Sequence, residues 1–533
     1  MAGRPFARLC GLAVGALAAV SAEDPETCAA GQACPGTGPS TSTPGRSTSA
    51  YYWPGPQGRL EHYSSSPYEG PFDLTANLKW KWHHPDAQWA EMPLGAAIDD
   101  KKNVYVSAAK GVYKLSPEGQ LLWSWQPSVL PGLQQHPAGL IPNGPALEYG
   151  RLFINDFHGR FFALDMETGA LVWERRAAGS GCGDTGYVAA HKGVVIAETD
   201  SKDGGNQCQV VRALNGSTGE PLWEFRPDNP VWDLMVQFDE EDTVFFQDFS
   251  GRAYRNWLFT GESIWKSGGR PGSWTDGTQL LGPNGIVYTT NTNSCFAPDC
   301  GGFTPLGPDC HGLLTAYSAA TGEKLWQRET PRPPNVSPAV GKLGKGDRLS
   351  VVMPIGQQPN CPSLAFEFWN HYPSLKNLPF FIQKWLFVGL HLLTYWMGDY
   401  QAYLGVPALP TDVLAFDAQT GEPQWTWTGP TWRHFQCPGD ERWYLERMEA
   451  NVRSASCPTP WSAPRIGGDG TVYVGNQNGH FFAIKDKDGD GSIDPEKEVH
   501  DFDCGAEFSS AGSAHAPGMV VIASGDVVYA FGS

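Results

Sequence analysis

Four aspartates and a serine alternate over nine residues: Asp486-Lys-Asp488-Gly-Asp490-Gly-Ser492-Ile-Asp494. Carboxylates at every second position around glycine-permitted turns converge on one point, as a hard cation such as Ca²⁺ requires, and Ser492 can offer its backbone carbonyl. Without a cation the carboxylates repel one another, yet Asp and Gly are also ordinary turn formers, so a solvated acidic hairpin is the alternative. The expected reading is a structural calcium site through Asp486, Asp488, Asp490, Ser492, Asp494 and Glu496, with Glu498 as a substitute for Glu496. Its expected role is to stiffen a turn.

That run resembles the calcium loop of an EF-hand through its first nine positions. It departs at the twelfth, where Lys497 replaces the bidentate Glu, and no helix pair flanks it. Other residues with reactive side chains show no comparable spacing. His158, His311, His391 and His480 lack metal-ligand intervals, and His158 and His480 occupy matching positions of two repeats, which points to structure. No catalytic residue can be assigned from spacing alone.

The element that positions the acidic loop is a repeat. A Thr-Gly turn, three residues and a Trp recur in ALDMETGALVW (Ala163 to Trp173), ALNGSTGEPLW (Ala213 to Trp223), AYSAATGEKLW (Ala316 to Trp326) and AFDAQTGEPQW (Ala415 to Trp425). Weaker copies end at Trp123 and Trp265. A strand of β-branched and aromatic residues, a turn whose Gly takes positive φ and a second strand opening on a large ring make a hairpin. Further apolar hairpins precede each turn, as in Asn103 to Leu115, Arg151 to Leu164, Thr243 to Asn256 and Thr471 to Ile484. A period of about 40 to 60 residues with about four strands each predicts propeller blades. The last stretch, Ser509 to Phe531, has no Trp strand after it, while Leu78 to His83 precedes the first unit without a partner. Pairing those two ends closes an all-β, eight-bladed β-propeller over residues 73–533.

The phrase Ala-x-Asp-x-x-Thr-Gly-x-x-x-Trp resembles the tryptophan-docking motif of the pyrroloquinoline quinone (PQQ) repeat family, over roughly Leu78 to Phe531. That family comprises eight-bladed quinoprotein dehydrogenases and non-catalytic relatives. The resemblance implies that Trp123, Trp173, Trp223, Trp265, Trp326 and Trp425 pack each blade on the next, a structural role for many of the 21 tryptophans. It also implies a test for PQQ, which the dehydrogenases hold under adjacent cysteines, above a Trp and beside Ca²⁺. This chain has no adjacent cysteines, and Pro230-Val-Trp232-Asp233 is only a faint match to a Trp-Asp element.

The net charge of −18 argues against a nucleic-acid backbone or an anionic membrane surface as a general partner. Residues 1–22 read as a secretory signal, with Arg4 and Arg8, an apolar run from Leu9 to Val20 and a small-residue cleavage pattern at Val20 to Ala22. Residues 23–72, rich in Pro, Ser, Thr and Gly, read as a flexible leader. Eleven further cysteines, many close in sequence, suit disulfides in an oxidising compartment, extracellular or in an organelle lumen, and the odd count leaves one thiol over. Asn215 and Asn335 head glycosylation sequons.

An insertion, residues 362–410, delays the sixth Thr-Gly turn. Within it, Leu378 to Met397 is predicted as an apolar helix, with Asn377 as cap and Gly398 past its end. It packs on the propeller, lies in a membrane interface or binds a partner. The leading functional expectation is a monomeric, secreted or lumenal, non-catalytic propeller that binds a protein or glycan through loops or this insertion. The alternative is a PQQ-dependent oxidoreductase acting on alcohols or sugars.

Overall fold

The computed structural model describes residues 51–532 except 61, 84–94, 109–110, 129–143, 157, 178–186, 200–208, 232, 272, 274, 276, 293–310, 335, 345, 357–373, 375–377, 380–381, 383–385, 387–409, 432–459, 506–507, 509–510 and 526. Eight antiparallel four-stranded sheets follow one another along the chain. Blade 1 is Ala96–Ile98, Val104–Ala108, Gly111–Leu115 and Leu121–Trp125; blade 2 is Ala146–Glu148, Arg151–Asn155, Arg160–Asp165 and Leu171–Arg176. Blade 3 is Ala189–His191, Val194–Thr199, Val210–Asn215 and Pro221–Phe225; blade 4 is Gln237–Phe238, Thr243–Gln247, Arg252–Trp257 and Ser263–Gly268. Blade 5 is Leu280–Leu281, Ile286–Thr292, Gly312–Ser318 and Lys324–Thr330; blade 6 is Ala339–Gly341, Ser350–Gly356, Thr411–Asp417 and Pro423–Thr428. Blade 7 is Arg465–Ile466, Val472–Gly475, His480–Ile484 and Val499–Asp503. Blade 8 takes Ala514–Ala516, Met519–Ser524 and Val527–Phe531 from the C-terminal end and its outer strand, Leu78–His83, from the N-terminal side. The ring therefore closes as the repeat arithmetic predicts.

Strand composition follows from position in the blade. Second and third strands are covered on both faces by neighbouring blades and read as unbroken buried runs, such as Val194–Thr199 and Ser350–Gly356. Outer strands such as Leu171–Arg176 face water and alternate. Seven blades share one irregularity: the pairing of third and outer strands shifts directly after the residue opposite the tryptophan, as at Ala163/Leu164, Ala213/Leu214 and Ala316/Tyr317, and in blade 8 beside Trp80. This β-bulge leaves the residue before each Trp unpaired and turns the indole toward the next blade.

There the indole lies flat on the following Thr-Gly turn. A Cβ added to Gly169 would stand 2.8 Å from Trp123, one on Gly219 2.8 Å from Trp173, one on Gly261 2.6 Å from Trp223 and one on Gly421 2.7 Å from Trp326. The indole N–H groups donate into the same turns: Trp123 to the Met166 carbonyl at 3.2 Å, Trp173 to Gly216 at 3.0 Å, Trp223 to Leu258 at 2.8 Å and Trp265 to Ala319 at 3.0 Å. Trp80, on the strand that closes the ring, repeats the contact on Gly119 and donates to the Pro117 carbonyl at 2.8 Å. Trp425 is buried with Ile493 of the acidic loop that replaces the next Thr-Gly turn.

Blade 7 breaks the series. His500 pairs with Ala483, the place that Trp173 takes opposite Ala163. The next turn is missing because blade 8 is made from two chain ends, and residues 72–77 lie at that corner. Leu74 N–H donates to His500 Nδ1 at 3.3 Å, His500 Nε2 lies 3.0 Å from Asp73 Oδ1, and the ring packs edge-on to Phe72. A polar ring thus seats the closing strand where no Gly turn exists to receive an indole.

The flexible leader expected over 23–72 ends sooner. From Tyr51 the chain crosses the axial opening as a strap. Trp53 pairs with Ile98 of blade 1, the Pro54 carbonyl accepts from Leu147 of blade 2, Tyr63 exchanges hydrogen bonds with Phe238 of blade 4, and Ser64 and Ser66 bond Ile466 of blade 7. The innermost strands would otherwise present unpaired backbone groups, and the strap supplies partners for them. The helix predicted over 378–397 lies outside the described residues apart from Leu378, Pro379, Ile382 and Leu386. Among the described residues no helix is long and apolar enough to cross a membrane.

The docking contact predicts a contrast between two glycines of positive φ. Gly219→Ala forces a methyl against Trp173, whereas Gly150→Ala meets nothing within 4 Å. Both variants bear the left-handed backbone penalty of about 1 kcal/mol, and Gly219→Ala is expected to lose about 2 kcal/mol more in urea denaturation. Equal losses would show that ring contact does not limit the turn.

Candidate functional site

Two places gather polar chemistry: the propeller axis and the acidic loop of blade 7. At the axis, the residues just before or within the innermost strands reach toward one another. Tyr187 of blade 3, Met235 of blade 4 and Ala511 of blade 8 form one buried cluster. Blades 4 and 8 are diametrically opposed in a ring of eight, so this contact closes the axis. Beside it, the fully buried Arg465 donates to the carbonyls of Pro56 (2.7 Å) and Pro464 (3.0 Å) and to Ser64 Oγ (3.3 Å), with no carboxylate partner among the described residues, and its indole neighbour Trp53 stacks on His515. Burial lowers the Arg465 guanidinium to about 10 and the His515 imidazole to about 3. Glu198 is 1% exposed, and burial pushes its carboxyl well up despite the nearby amides of Leu234 and Tyr187. Gln57 of the strap donates to Ser337 Oγ at 3.2 Å and accepts from Gln237, so side chains of the strap and of blades 4 and 6 share one network.

Between the strap and blades 2 to 4 a cavity of about 50 Å³ remains, lined by Pro54, Gln57, Tyr63, Tyr187, His191 and Met235. His191 stacks on Phe238, its Nε2 has no hydrogen-bond partner, and burial lowers its pKa to about 4. That space suits water-sized occupants. Among the described residues the axis itself is occupied by the Tyr187, Met235 and Ala511 cluster.

The acidic loop occupies the hairpin between the third and outer strands of blade 7, the place of the Thr-Gly turn elsewhere. Carboxylate oxygens of Asp486, Asp488 and Glu498 lie within 4.8 Å of one another. Backbone amides orient them. Asp486 accepts from Gly489 (2.7 Å) and Gly491 (3.1 Å), and Asp488 from Asp490 (3.2 Å). Glu498, buried, accepts from the amides of Lys487, Asp488 and Asp494, contacts that hold its carboxyl below the ordinary value. The other predicted ligands point elsewhere: Asp490 caps Ser492 N–H at 2.8 Å, and Asp494 caps Glu496 N–H and pairs with Lys497 at 2.6 Å. Ser492 and Glu496 are outside the three-carboxylate group. Three convergent, amide-oriented carboxylates fit a hard divalent cation, and Asp486, Asp488 and Glu498 are the residues that would hold it. Glu498 is thirteenth from Asp486, one place beyond the position that Lys497 fills, which is why spacing alone does not single it out.

Other singled-out residues separate. Asn215 Oδ1 accepts from Ser217 N–H (2.8 Å) and Thr218 N–H (3.1 Å) in the blade 3 turn. His480 pairs with Asp501 at 2.6 Å on the surface of blade 7. Asp233 is buried with φ of 49°, and Cys504 is a buried free thiol whose pKa burial raises. Asn335, Trp232, His391 and every other cysteine lie outside the described residues.

Eight four-stranded blades, most of them joined by an indole on a neighbouring glycine turn, define an eight-bladed, PQQ-like β-propeller. Residues 108–272 match the family model described as outer membrane protein assembly factor BamB. Over 229 residues, 40% of this chain, the sequence is 28% identical to the dehydrogenase subunits of the quinone alcohol dehydrogenases of Gluconacetobacter polyoxogenes and Komagataeibacter europaeus. The match spans 29% of the length of those relatives. Among solved structures, the quinohemoprotein alcohol dehydrogenase of Comamonas testosteroni superposes with a TM-score of 0.53 at 13% identity, over 90% of this chain and 80% of that one. A europium-containing methanol dehydrogenase superposes with a TM-score of 0.52 at 12% identity, over 89% of each chain. At these identities the likeness is one of fold.

Calcium is expected to raise the melting temperature of the purified chain, and Asp488→Ala or Glu498→Gln to abolish the rise; an unmodified protein indifferent to millimolar calcium would remove the site. The buried His191 predicts an acid weakness. Its folded pKa lies below the unfolded value near 6.5, so the unfolded state takes up a proton first and stability falls as pH drops from about 6.5 toward 4. His191→Gln should flatten part of that slope in urea melts at pH 7 and pH 5.

Proposed function

We propose that this chain is a non-catalytic PQQ-type propeller of the secretory route, which binds a protein or glycan partner and carries a structural Ca²⁺ in the blade 7 loop. The closed axis carries this reading. Tyr187, Met235 and Ala511 meet across the ring and the strap from Tyr51 to Tyr68 crosses one opening, which supports a centre used for packing over one that holds a cofactor.

Binding then falls to the connections. In a four-stranded meander the first-to-second and third-to-outer turns share one face, and the remaining connections leave from the other. The strand ends that flank residues 129–143, 178–186, 293–310, 357–409 and 432–459 all belong to the second face. Long connections gathered on one face of a rigid ring are where propellers place recognition. Cysteines at 182, 295, 300, 310, 361, 437 and 457 fall in those connections, which favours an oxidising, extracellular or lumenal address.

The 28% identity to quinone alcohol dehydrogenases favours a second reading, a PQQ-dependent oxidoreductase acting on alcohols or sugars. Adding PQQ and Ca²⁺ to the purified chain separates the two. The binding reading expects no quinone absorbance retained after gel filtration and no dye-linked oxidation of alcohols or sugars. Retained quinone with turnover would establish the enzyme instead.

A further inference from the structure

We propose that the third-to-outer turn of blade 4 is a docking surface for a segment of a partner protein that carries lysine or arginine beside aliphatic residues. It lies on the face of the Thr-Gly turns, opposite the long connections, and stands apart from the binding reading above.

The other blades serve as an internal control. The residue that opens this turn is Asp165, Asn215, Ser318 or Asp417 in blades 2, 3, 5 and 6, and its side chain caps the turn. Asp165 Oδ1 accepts from Glu167 N–H, Thr168 N–H and Thr168 Oγ1, and Asp417 Oδ1 does the same for Gln419 and Thr420. Blade 4 places Trp257 there, which cannot cap, and Phe259 where the others carry Glu167, Ser217, Ala320 or Gln419. Trp257 is 45% exposed and Phe259 51%. The turn forms without help from either ring: Gly261 N–H bonds the Trp257 carbonyl at 2.9 Å, Trp257 N–H the Glu262 carbonyl at 2.9 Å, and Asn256 Nδ2 the Gly261 carbonyl at 3.0 Å. The buried Leu258 between the two aromatics makes the inward contact that the fold needs. Two large rings left about half exposed in place of a hydrogen-bonding cap are more apolar surface than this turn needs, and they mark a surface with another use.

The surroundings select the occupant. Leu258 N–H donates to the Asp242 carbonyl at 2.8 Å, which ties the turn to the run Asp239-Glu240-Glu241-Asp242. Arg255 pairs with Asp239 and Glu241, and Lys192 with Asp242. Glu240 and Glu262 are exposed with no ion-pair partner among the described residues. Five carboxylates thus stand against two cations beside two aromatic faces. Leu222, the 43% exposed bulge residue next to the indole that docks on this turn, extends the apolar area. A guanidinium or ammonium over an indole face with a carboxylate in reach is favourable, and aliphatic neighbours cover Leu222 and Phe259. The same carboxylates repel an anionic membrane surface.

The test pans a random peptide-display library on the full chain at low salt and titrates the enriched peptides, resynthesised with a fluorophore, by anisotropy. Enriched peptides should combine Lys or Arg with aliphatic residues and bind less tightly as salt rises. The double change Trp257→Asp with Phe259→Glu, which copies the blade 2 turn, should weaken them at least about tenfold with the melting temperature unchanged. Glu240→Lys with Glu262→Lys should weaken them as well. Selection of acidic or uncharged peptides, equal binding by the aromatic variant, or its marked destabilisation together with that of Phe259→Glu alone would overturn the proposal. So would a dimer of the unmodified chain that the aromatic variant dissolves, because a second copy would then be the occupant.

Discussion

An indole lying on a glycine is the contact on which this ring depends. A blade alone is four short strands with two apolar faces and no way to bury either. The bulge in its outer strand aims Trp123, Trp173, Trp223, Trp265 and Trp326 at the neighbouring Thr-Gly turn, where only hydrogen at Cα leaves room for the ring. One contact thereby fixes the angle between blades, joins two cores and, for Trp123, Trp173, Trp223 and Trp265, satisfies an indole N–H. Repetition at a constant angle then returns the last blade to the first, and no long strand edge is left open. Where closure removes the receiving turn, His500 substitutes, because an imidazole can both accept from the Leu74 amide and approach Asp73, whereas an indole has one donor and no acceptor.

Closing the ring creates a second problem at its centre. Eight inner strands surround an opening whose backbone groups have no further strand to pair with. The chain fills it with its own material, through Tyr187, Met235 and Ala511 at the axis and the strap on one side. Among the described residues buried Arg465 is held there by carbonyls and a hydroxyl, a neutral set, and burial accounts for its lowered pKa.

The blades were readable in the sequence because the period is written in large residues and glycines: every strand assignment that rests on Thr-Gly-x-x-x-Trp has its sheet, and the end-to-end pairing of Leu78–His83 follows from counting. The strap was not readable. Residues 51–68 have neither period 2 nor period 3.6, since their conformation is imposed by the inner strands they bridge, and Pro, Ser and Gly there resemble a leader. Nor was the set Asp486, Asp488 and Glu498, because the spacing of a helix-flanked calcium loop does not carry over to a hairpin, where the returning outer strand brings in Glu498. His500 escaped notice since His at that place has meaning only once the missing turn of blade 8 is seen.

A repeat protein supplies its own reference for separating fold from function. Four copies of one turn agree on a capping side chain, Thr and Gly, with no aromatic residue among them, and this agreement states what the blade needs for packing. Departures then divide by whether they restore what they remove. The blade 7 loop gives up Thr-Gly but rebuilds its turn with amide-to-carboxylate bonds around Glu498, and His500 gives up an indole but regains hydrogen bonds at the closing strand. Both are substitutions that keep the ring intact. The blade 4 turn gives up its cap and leaves Trp257 and Phe259 about half exposed, with no hydrogen bond put in the cap's place. A loss that the fold does not recover within itself is evidence of a contact made outside it.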